Sequence, residues 1–350
     1  MLTTNRRYDI DWIRVIAIGL LLIYHVAIGF QSWGIMIGFI TSDKPWESLW
    51  IPMAMLNVWR IPLLFFVSGM GVYFALQNRN WKQLLVERAR RILLPFMFGV
   101  FVIVPIHVYL WRYYYHMGLI YQADPGHLWF LGNLFIYVVI LAPVFFYLRK
   151  NQDGQLVKGI KKMLSTPFGL LPVIAAFIAE ALLVRPYPYE RYAMTWHGFF
   201  LGLLAFFFGF CFVLSGRTFW EMIRKWRWLF LSAAVVLFLL RMMTFKMNAP
   251  VYLLVTESDG WILSVFAFGY THLNRPGKAL TYLSQAAYPV YILHMIFLYL
   301  GAVLIFPLDI AVPLQFILVL LFTGAGCFAF YELIIRRVNI IRPLFGLKMK

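Results

Sequence analysis

Two polar residues lie within the first apolar run of the chain, and their types could support catalysis. Arg14 and His25 belong to the stretch YDIDWIRVIAIGLLLIYHVAIGF, which is long enough to cross a bilayer as one helix. Eleven positions separate them, close to three helical turns, so both side chains project from one helix face about 16 Å apart. Such residues are rare in membrane helices and usually face a protein interior or an aqueous cavity, which predicts a functional site. The alternative is that Arg14 reaches the headgroups while His25 bonds a neighbouring helix.

A second histidine in an apolar run favours proton transfer. His294 lies near the middle of a predicted span that contains SQAAYPVYILHM. An imidazole gives or takes a proton near neutral pH, so His25 and His294 at similar depth suit general acid–base catalysis. Pro289, about one turn before His294, predicts a kink and a freed carbonyl beside it. The alternative for each histidine is a hydrogen-bonded core residue.

A cluster of arginines adjoins Arg14 at the predicted inner edge of the membrane. Arg90 and Arg91 lie in ERARRILLPF, just before an apolar run. Guanidinium groups hold phosphates through bidentate, charge-assisted hydrogen bonds, so we expect Arg14, Arg90 and Arg91 to bind a phosphorylated ligand. For the loop arginines alone, topology signalling and lipid headgroup contact are the alternative. The sequence contains no Walker-type phosphate loop, which argues against an ATP-driven pump.

Polar and aromatic residues also begin predicted spans on the opposite side. Arg60, His127 and His197 are expected at that edge, each beside a tryptophan: Trp59, Trp129 and Trp196. We predict that Arg60, His127 and Trp129 line a vestibule for a sugar, because aromatic faces pack on sugar rings. The alternative for the tryptophans is the aromatic belt of any membrane protein. Three carboxylates could orient a histidine or pair with Arg60, and their roles stay open: Glu180, Glu257 and Asp259.

The composition excludes an ordinary soluble protein. The 350 residues are 63% hydrophobic and 13% charged, which indicates a polytopic membrane protein. A net charge of +17 is compatible with nucleic-acid binding, but the basic residues form short clusters between apolar runs, so no nucleic-acid partner is expected. Cys211 and Cys327 lie apart within apolar segments, and no H-E-x-x-H or G-x-S-x-G motif occurs. We therefore expect no disulfide, no metal site and no lipase-like nucleophile.

Windows of about 20 apolar residues predict an all-α bundle of about ten spanning helices. The expected spans are Asp11 to Phe30, Ile51 to Leu76, Ile92 to Trp111, Leu128 to Leu148, Pro167 to Leu183, His197 to Leu214, Trp228 to Phe245, Val251 to Tyr270, Ser284 to Phe306 and Ile310 to Tyr331. Charged residues interrupt the seventh and eighth spans, so one of them is expected to be broken or re-entrant.

The basic residues predict the orientation. Most of the 31 Lys and Arg residues fall in alternate connections, which places both termini in the cytoplasm. The first apolar run carries Arg14 and has no A-x-A cleavage pattern, so it is expected to stay as the first span. The connections are short, which predicts one membrane domain over residues 1–350 and no separate soluble domain.

Taken together, these residues resemble the acyltransferase 3 family of integral membrane acyltransferases. The family's sequence mark is an Arg, ten residues and a His in the first span, matched here by Arg14 and His25. Further similar blocks are WRIPLLFFVSG, RARRILLPF, HLWFLGNLFIY, YLSQAAYPVYILH and YELIIRRVNIIRPLFGLK. The third and fifth blocks look most like the branch that includes glucan biosynthesis protein C. Many O-antigen acetylating relatives carry a Glu where this chain has HLWFLGNL, so that carboxylate cannot be assigned here.

The resemblance implies transfer of an acetyl or succinyl group from cytoplasmic acyl-CoA, as acetyl-CoA or succinyl-CoA, to a hydroxyl of a glycan or other acceptor across a bacterial inner membrane. In that scheme Arg14, with Arg90 and Arg91, holds the donor phosphates. His25 is the general base or briefly carries the acyl group, and His294 assists as a proton donor. Membrane lipid surrounds the protein, and a periplasmic partner or a second copy is a possible further partner. The alternative function is a transporter that moves its substrate without covalent change.

Overall fold

A computed structural model of the chain describes residues 6–77 and 79–349. Residues 1–5, 78 and 350 of the expected 1–350 domain lie outside the described residues. Within the described ranges the chain is built from helices and contains no β-strand. The prediction of an all-α fold is therefore confirmed.

The helices follow one another in the described part of the chain as α1 (Tyr8–Ile28), α2 (Trp50–Leu76), α3 (Trp81–Arg88), α4 (Leu94–Phe98), α5 (Val104–Tyr114), α6 (Trp129–Lys150), α7 (Gln155–Met163), α8 (Leu171–Val184), α9 (Trp196–Leu214), α10 (Arg217–Lys225), α11 (Arg227–Met243), α12 (Val251–His272), α13 (Lys278–Ile305) and α14 (Val312–Phe330). Short 3-10 helices lie at Ser32–Ile37, Glu47–Leu49, Gly126–Leu128, Pro167–Leu170 and Asn339–Phe345.

Two π-helical segments join α3, α4 and α5 into one long helical stretch. They cover Ala89–Leu93 and Gly99–Ile103, and each is followed within two residues by a proline, Pro95 or Pro105. A proline has no N–H to donate to the preceding turn and its ring crowds that turn, so the regular α-helical bonding is interrupted there. A third π-helical segment, Tyr331–Ile335, continues α14.

The number of spanning helices agrees with the sequence. In the described residues nine helical segments are long and apolar enough to cross a membrane, and the pair α10 and α11, bent by 59°, would make a tenth. The bend lies just before the seventh predicted span and not within it. Helix α11 runs through Arg241, and α12 through Glu257 and Asp259, without a break at the charged residues on which that expectation depended. The cytoplasmic position of both termini stays a prediction.

The chain forms two compact units of interleaved segments. Unit 1 comprises Met1–Ala17, Asn57–Val86 and Ile136–Leu280, and unit 2 comprises Ile18–Leu56, Glu87–Phe135 and Thr281–Lys350. Helices α1 and α2 each contribute their two ends to different units. The single-domain prediction stays a prediction.

In unit 1, the charge within α11 is neutralised by neighbours. Arg241 is completely buried and forms ion pairs with Glu257 of α12, at 3.0 Å, and with Glu190, at 3.2 Å. A buried charge in an apolar bundle is tolerated when it is paired. These pairs account for Arg241 in the seventh predicted span and Glu257 in the eighth.

A proline in α2 explains a second polar contact of unit 1. Pro62 lies inside α2 and cannot donate a hydrogen bond to the carbonyl of Val58 one turn earlier. The hydroxyls of Ser258 and Tyr192 donate to that carbonyl instead, at 2.8 and 3.0 Å. The α2 backbone is thereby satisfied by α12 and by the segment before α9.

Glycines allow α2 and α9 to approach backbone to backbone within unit 1. A Cβ atom at Gly69 would overlap the Phe206 carbonyl group, and a Cβ atom at Gly209 would overlap the Phe66 carbonyl group. The two contacts are reciprocal, because each helix places its glycine against the main chain of the other. Small residues at helix interfaces permit this close van der Waals packing in membranes.

This contact predicts that Gly209→Ala destabilises the protein. The added methyl group must push α9 away from α2, since main chain rather than a flexible side chain stands in its way, and overpacking of this kind costs about 1–3 kcal/mol. The measurement is the midpoint of thermal unfolding of the purified protein in detergent. Gly324→Ala in α14 is the matched control, because no atom lies within 4 Å of the added Cβ there. Equal midpoints for the two variants would contradict the packing described.

Candidate active site

The structure of unit 2 brings His25 of α1 and His294 of α13 into direct contact. Nδ1 of His25 lies 2.8 Å from Nε2 of His294, and the two rings are nearly parallel, at 5°. His294 is completely buried, whereas His25 is partly exposed. The two residues predicted as catalytic are therefore hydrogen-bonded neighbours, although 269 positions separate them in the sequence.

The main chain of α13 determines which nitrogen of each ring carries a proton. Nδ1 of His294 lies 2.7 Å from the Tyr291 carbonyl oxygen, which can only accept, so Nδ1 must be the N–H. In the neutral ring Nε2 of His294 is then the acceptor, and His25 donates to it from Nδ1. Nε2 of a neutral His25 consequently holds the lone pair. That nitrogen is the one that can take a proton from a substrate.

His127 lies beside this pair and is fixed to α13 by two hydrogen bonds. Its ring donates from Nε2 to the Ile292 carbonyl at 3.1 Å, and its own carbonyl accepts from the Tyr291 hydroxyl at 2.6 Å. The ring centroids of His127 and His294 are 5.0 Å apart. His127, predicted to bind acceptor, thus adjoins the two predicted catalytic residues in unit 2.

A fourth histidine extends the group. His107 of α5 is buried, and its ring centroid lies 5.4 Å from that of His127. We name His25, His294, His127 and His107 the histidine cluster. His107 was not predicted as a site residue, although its position inside the third predicted span carried the same signal as His25: an imidazole in an apolar run.

The loop after α1 closes over the histidine cluster. Phe39 lies in this loop, with its ring centroid 5.6 Å from that of His25. The hydroxyl of Tyr299 donates to the carbonyl of Gly38 at 2.5 Å, and Tyr115 donates to the carbonyl of Phe39 at 3.3 Å. Gly38 has a φ of +83°, a conformation that favours glycine. The loop is thereby held against α13 and the end of α5.

The chemistry available to the histidine cluster is proton transfer. A lone pair on His25, supported by a neutral His294 that accepts from its other nitrogen, is the arrangement of a general base with an orienting partner. Within the described residues no group of three or more His, Cys, Asp or Glu side chains is placed to hold a metal ion.

The arginines predicted to bind donor phosphates fall in both units. Arg14 belongs to unit 1, where its side chain is 36% exposed and lies 3.5 Å from Asp11 and next to Gly71 of α2. Arg90 and Arg91 belong to unit 2. Arg90 is exposed, and Arg91 forms an ion pair with Glu87 at 2.9 Å. Each of the three residues retains some accessible surface.

The residues expected at the outer edge differ in their surroundings. Trp129 begins α6 and is partly exposed. Arg60 is buried within α2, ten residues after its start, so the expectation that it begins a span is wrong. It follows Trp59 and lies between Val58 and Pro62, within the interruption described above. Arg60 belongs to unit 1, whereas His127 and Trp129 belong to unit 2.

His197 is a core residue of unit 1. Its Nδ1 lies 3.0 Å from a carboxylate oxygen of Glu180, and the Tyr192 ring stacks on it at 5.4 Å. Because its side chain is buried, it does not line an open vestibule. Tyr189 packs on the same imidazole, and burial, reinforced by the nearby carboxylates of Asp259 and Glu180, raises the pKa of the Tyr189 hydroxyl well above its ordinary value. Glu180 thus orients His197, which is one of the two roles that the sequence leaves open for this carboxylate.

Comparison with known proteins yields one clear result. The family model of acyltransferase 3, described as an acyltransferase domain, matches residues 7–332. No curated protein and no solved structure gives a significant match. The family match covers Arg14, His25, the rest of the histidine cluster and every other residue predicted for the site. The chain therefore belongs to the acyltransferase 3 family of membrane acyltransferases.

Proposed function

We propose that this protein is an O-acyltransferase that uses cytoplasmic acyl-CoA, of the acetyl or succinyl class, to acylate a hydroxyl group of a glycan at the extracytoplasmic face of a bacterial inner membrane. Family membership supports acyl transfer within a multi-pass membrane protein. The donor, the acyl class, the acceptor and the membrane are the proposed details, and a glucan acceptor would agree with the glucan biosynthesis protein C-like blocks of the sequence.

The observation that carries the proposal is the hydrogen bond between His25 and His294. The Tyr291 carbonyl fixes the proton on His294, which in turn leaves the lone pair of His25 on Nε2. A general base in an acyl transfer needs a basic nitrogen of defined direction, and this arrangement supplies one inside an apolar bundle. A transporter that leaves its substrate chemically unchanged has no acceptor hydroxyl to deprotonate.

In the proposed reaction Nε2 of His25 takes the proton of the acceptor hydroxyl as its oxygen attacks the thioester carbonyl carbon. The carbon–sulfur bond then breaks, and the protonated His25 returns the proton to the departing CoA sulfur. His294 is a positioning residue that holds the His25 ring and shares its positive charge through the Nδ1–Nε2 hydrogen bond. The cycle consumes no other reactant, since the acyl group moves from sulfur to oxygen.

The remaining predicted residues take binding roles in this proposal. Arg14, with Arg90 and Arg91, binds the donor phosphates, because guanidinium groups form charge-assisted bonds with them. His127, Trp129 and Arg60 bind the acceptor. Release of the product, or its further handling, involves a periplasmic partner or a second copy of the chain.

His25→Ala should remove turnover. Loss of a general base lowers the rate by about 10² to 10⁴. The measurement uses purified protein in nanodiscs with labelled acetyl-CoA or succinyl-CoA and a glucan acceptor, and it follows both the free thiol of CoA and ester-linked label. His272→Ala, an exposed histidine at the end of α12, is the control and should keep full activity. Full activity in His25→Ala would contradict the role of His25 as general base. Movement of the acceptor across the membrane without ester formation would favour the transporter.

His294→Leu should lower kcat about 100-fold with little change in the KM for acyl-CoA, because it removes the acceptor for Nδ1 of His25. His294→Gln should recover part of the loss, since its amide oxygen can accept the same hydrogen bond. The two variants are compared in the assay above, with unfolding midpoints measured in parallel. Equal losses for Leu and Gln would mean that His294 only fills space.

Arg14→Ala should mainly weaken donor binding. Loss of charge-assisted bonds to phosphate is expected to raise the KM for acyl-CoA about 10- to 100-fold while kcat at saturation changes only a few-fold. The kinetics of acyl-CoA consumption at fixed acceptor distinguish the two parameters. A fall in kcat at unchanged KM would instead assign Arg14 to the chemical step.

A further inference from the structure

Unit 1 contains a cavity of about 510 Å³ that the histidine cluster does not use. Its walls come from the beginning of α1, the beginning of α10 and the end of α12. The volume lies in the range of small-molecule sites. We name it the arginine cavity after the side chains Arg6, Arg7 and Arg217 that line it.

The lining of the arginine cavity is strongly cationic. Three guanidinium groups contribute to it, and none of its described lining residues is a carboxylate. The Arg217 side chain is 87% exposed and that of Arg6 is 54% exposed, so both can reorient toward a bound anion. Each has a carboxylate partner outside the lining set, namely Glu221 at 3.6 Å and Asp11 at 2.9 Å. Exposed pairs of this kind are weak and exchange readily.

Two helix N-termini meet the same cavity. Tyr8 is the first residue of α1, and Arg217 is the first residue of α10, and both line the cavity. The dipole at a helix N-terminus favours an anion. At α1 the Tyr8 N–H already donates to the Asn274 side chain at 3.1 Å, and Asp9 and Asp11 lie in the first turn. Gly216, which precedes α10, has a φ of +65° and no atom within 4 Å of where a Cβ would lie, so the wall is open at that point.

Arg7 is the most firmly held of the three arginines. It makes a bidentate pair with the completely buried carboxylate of Asp9, at 2.6 and 2.8 Å. Its guanidinium group lies 3.8 Å from the ring centroid of Trp220 and 5.0 Å from that of Tyr270. Side chains whose geometry is set by such contacts lose little further freedom when a ligand binds.

Trp220 supplies an independent sign of a missing ligand. It lines the cavity and is 1% exposed, yet its indole N–H has no hydrogen-bond partner among the described residues. A buried donor without a partner costs about 1–3 kcal/mol, so such groups in native proteins usually bind water or a ligand. A phosphate oxygen in the arginine cavity would be an acceptor for it.

We propose that the arginine cavity is an organic-phosphate site that binds the phosphorylated nucleotide portion of the acyl-CoA donor. This inference rests on the proposed function for the identity of the ligand, whereas the preference for phosphate rests on the cavity alone. The sequence assigns Arg6, Arg7 and Arg217 to segments expected in the cytoplasm, the side on which acyl-CoA is found.

Arg14 contacts α2 about one helical turn from the residue of that helix that lines the arginine cavity. Phe74 of α2 lines the cavity, and Gly71, about one turn earlier in the same helix, would place a Cβ 3.7 Å from Nη2 of Arg14. Arg14 also lies about two turns along α1 from Arg7. Arg14 is therefore the next arginine along α1 after Arg7. A donor whose nucleotide portion lies in the arginine cavity is expected to extend toward it.

Binding of adenosine 3′,5′-bisphosphate tests this site without any acyl transfer. Full-length protein in phosphatidylcholine nanodiscs is titrated with this compound by calorimetry. Arg217→Gln should raise its Kd about tenfold, because a charge-assisted bond to phosphate is lost. Lys225→Gln, which removes the same charge from the far end of α10, should change the Kd less than twofold. The double variant Arg7→Gln/Asp9→Asn, which leaves no unpaired carboxylate, should also weaken binding at least tenfold.

The outcomes separate this proposal from the proposed function. If the wild-type protein transfers acyl groups but Arg217→Gln leaves both the Kd of the bisphosphate and the KM for acyl-CoA unchanged, the nucleotide site is elsewhere and the function stands. If the bisphosphate binds as described but no acyl transfer occurs, the site stands and the function fails. A short-chain phosphatidylglycerol, compared with the matching phosphatidylcholine, is the second probe. Binding of that lipid through Arg217, with none of the nucleotide, would overturn the donor assignment in favour of a headgroup site.

Discussion

A polar group inside an apolar helix bundle must find its partner within the protein, because lipid offers none. This requirement accounts for the internal arrangement of both units. In unit 1 it pairs Arg241 with Glu257, Glu180 with His197, and the Val58 carbonyl with two hydroxyls. In unit 2 it joins His25 to His294, and it joins His294 and His127 to main-chain carbonyls of α13. Most of these contacts complete a structure, and the His25–His294 contact joins the two residues that we propose act in acyl transfer.

The polar groups differ in what remains after pairing. Arg241 and His197 are buried with carboxylate partners, so both side chains are paired inside the fold. His25 donates from one nitrogen and keeps a lone pair on the other. Arg7 is held by Asp9 and two aromatic rings at the wall of an open cavity. A polar residue that is buried with its partner serves the structure. A polar residue that can still donate or accept a hydrogen bond where a ligand can reach it is a candidate for function.

The sequence predicts the helices well and their partners poorly. Bilayer thickness determines the length of an apolar run, so nine of the ten predicted spans correspond to sufficiently long helices, and only the seventh lies on a helix that is short and follows a bend. Pairing depends on tertiary packing, which no local pattern records. The sequence predicts His25 and His294 as site residues from their depth in apolar spans, but it does not predict that they touch. His107 also lies in an apolar span, and it is not among the predicted site residues. Arg60 is buried within α2, whereas the sequence predicts it at the outer edge of the membrane. The positions of Arg6, Arg7 and Arg217 in the sequence indicate only membrane topology, and their shared cavity is visible only in the structure.

The hydrogen bond from His294 to the Tyr291 carbonyl has a consequence for how this site tolerates sequence change. The acceptor that fixes the His294 tautomer is a main-chain atom, so no side-chain replacement at position 291 deletes it. The main chain of α13 therefore determines which nitrogen of a neutral His25 holds the lone pair, whatever side chain occupies position 291.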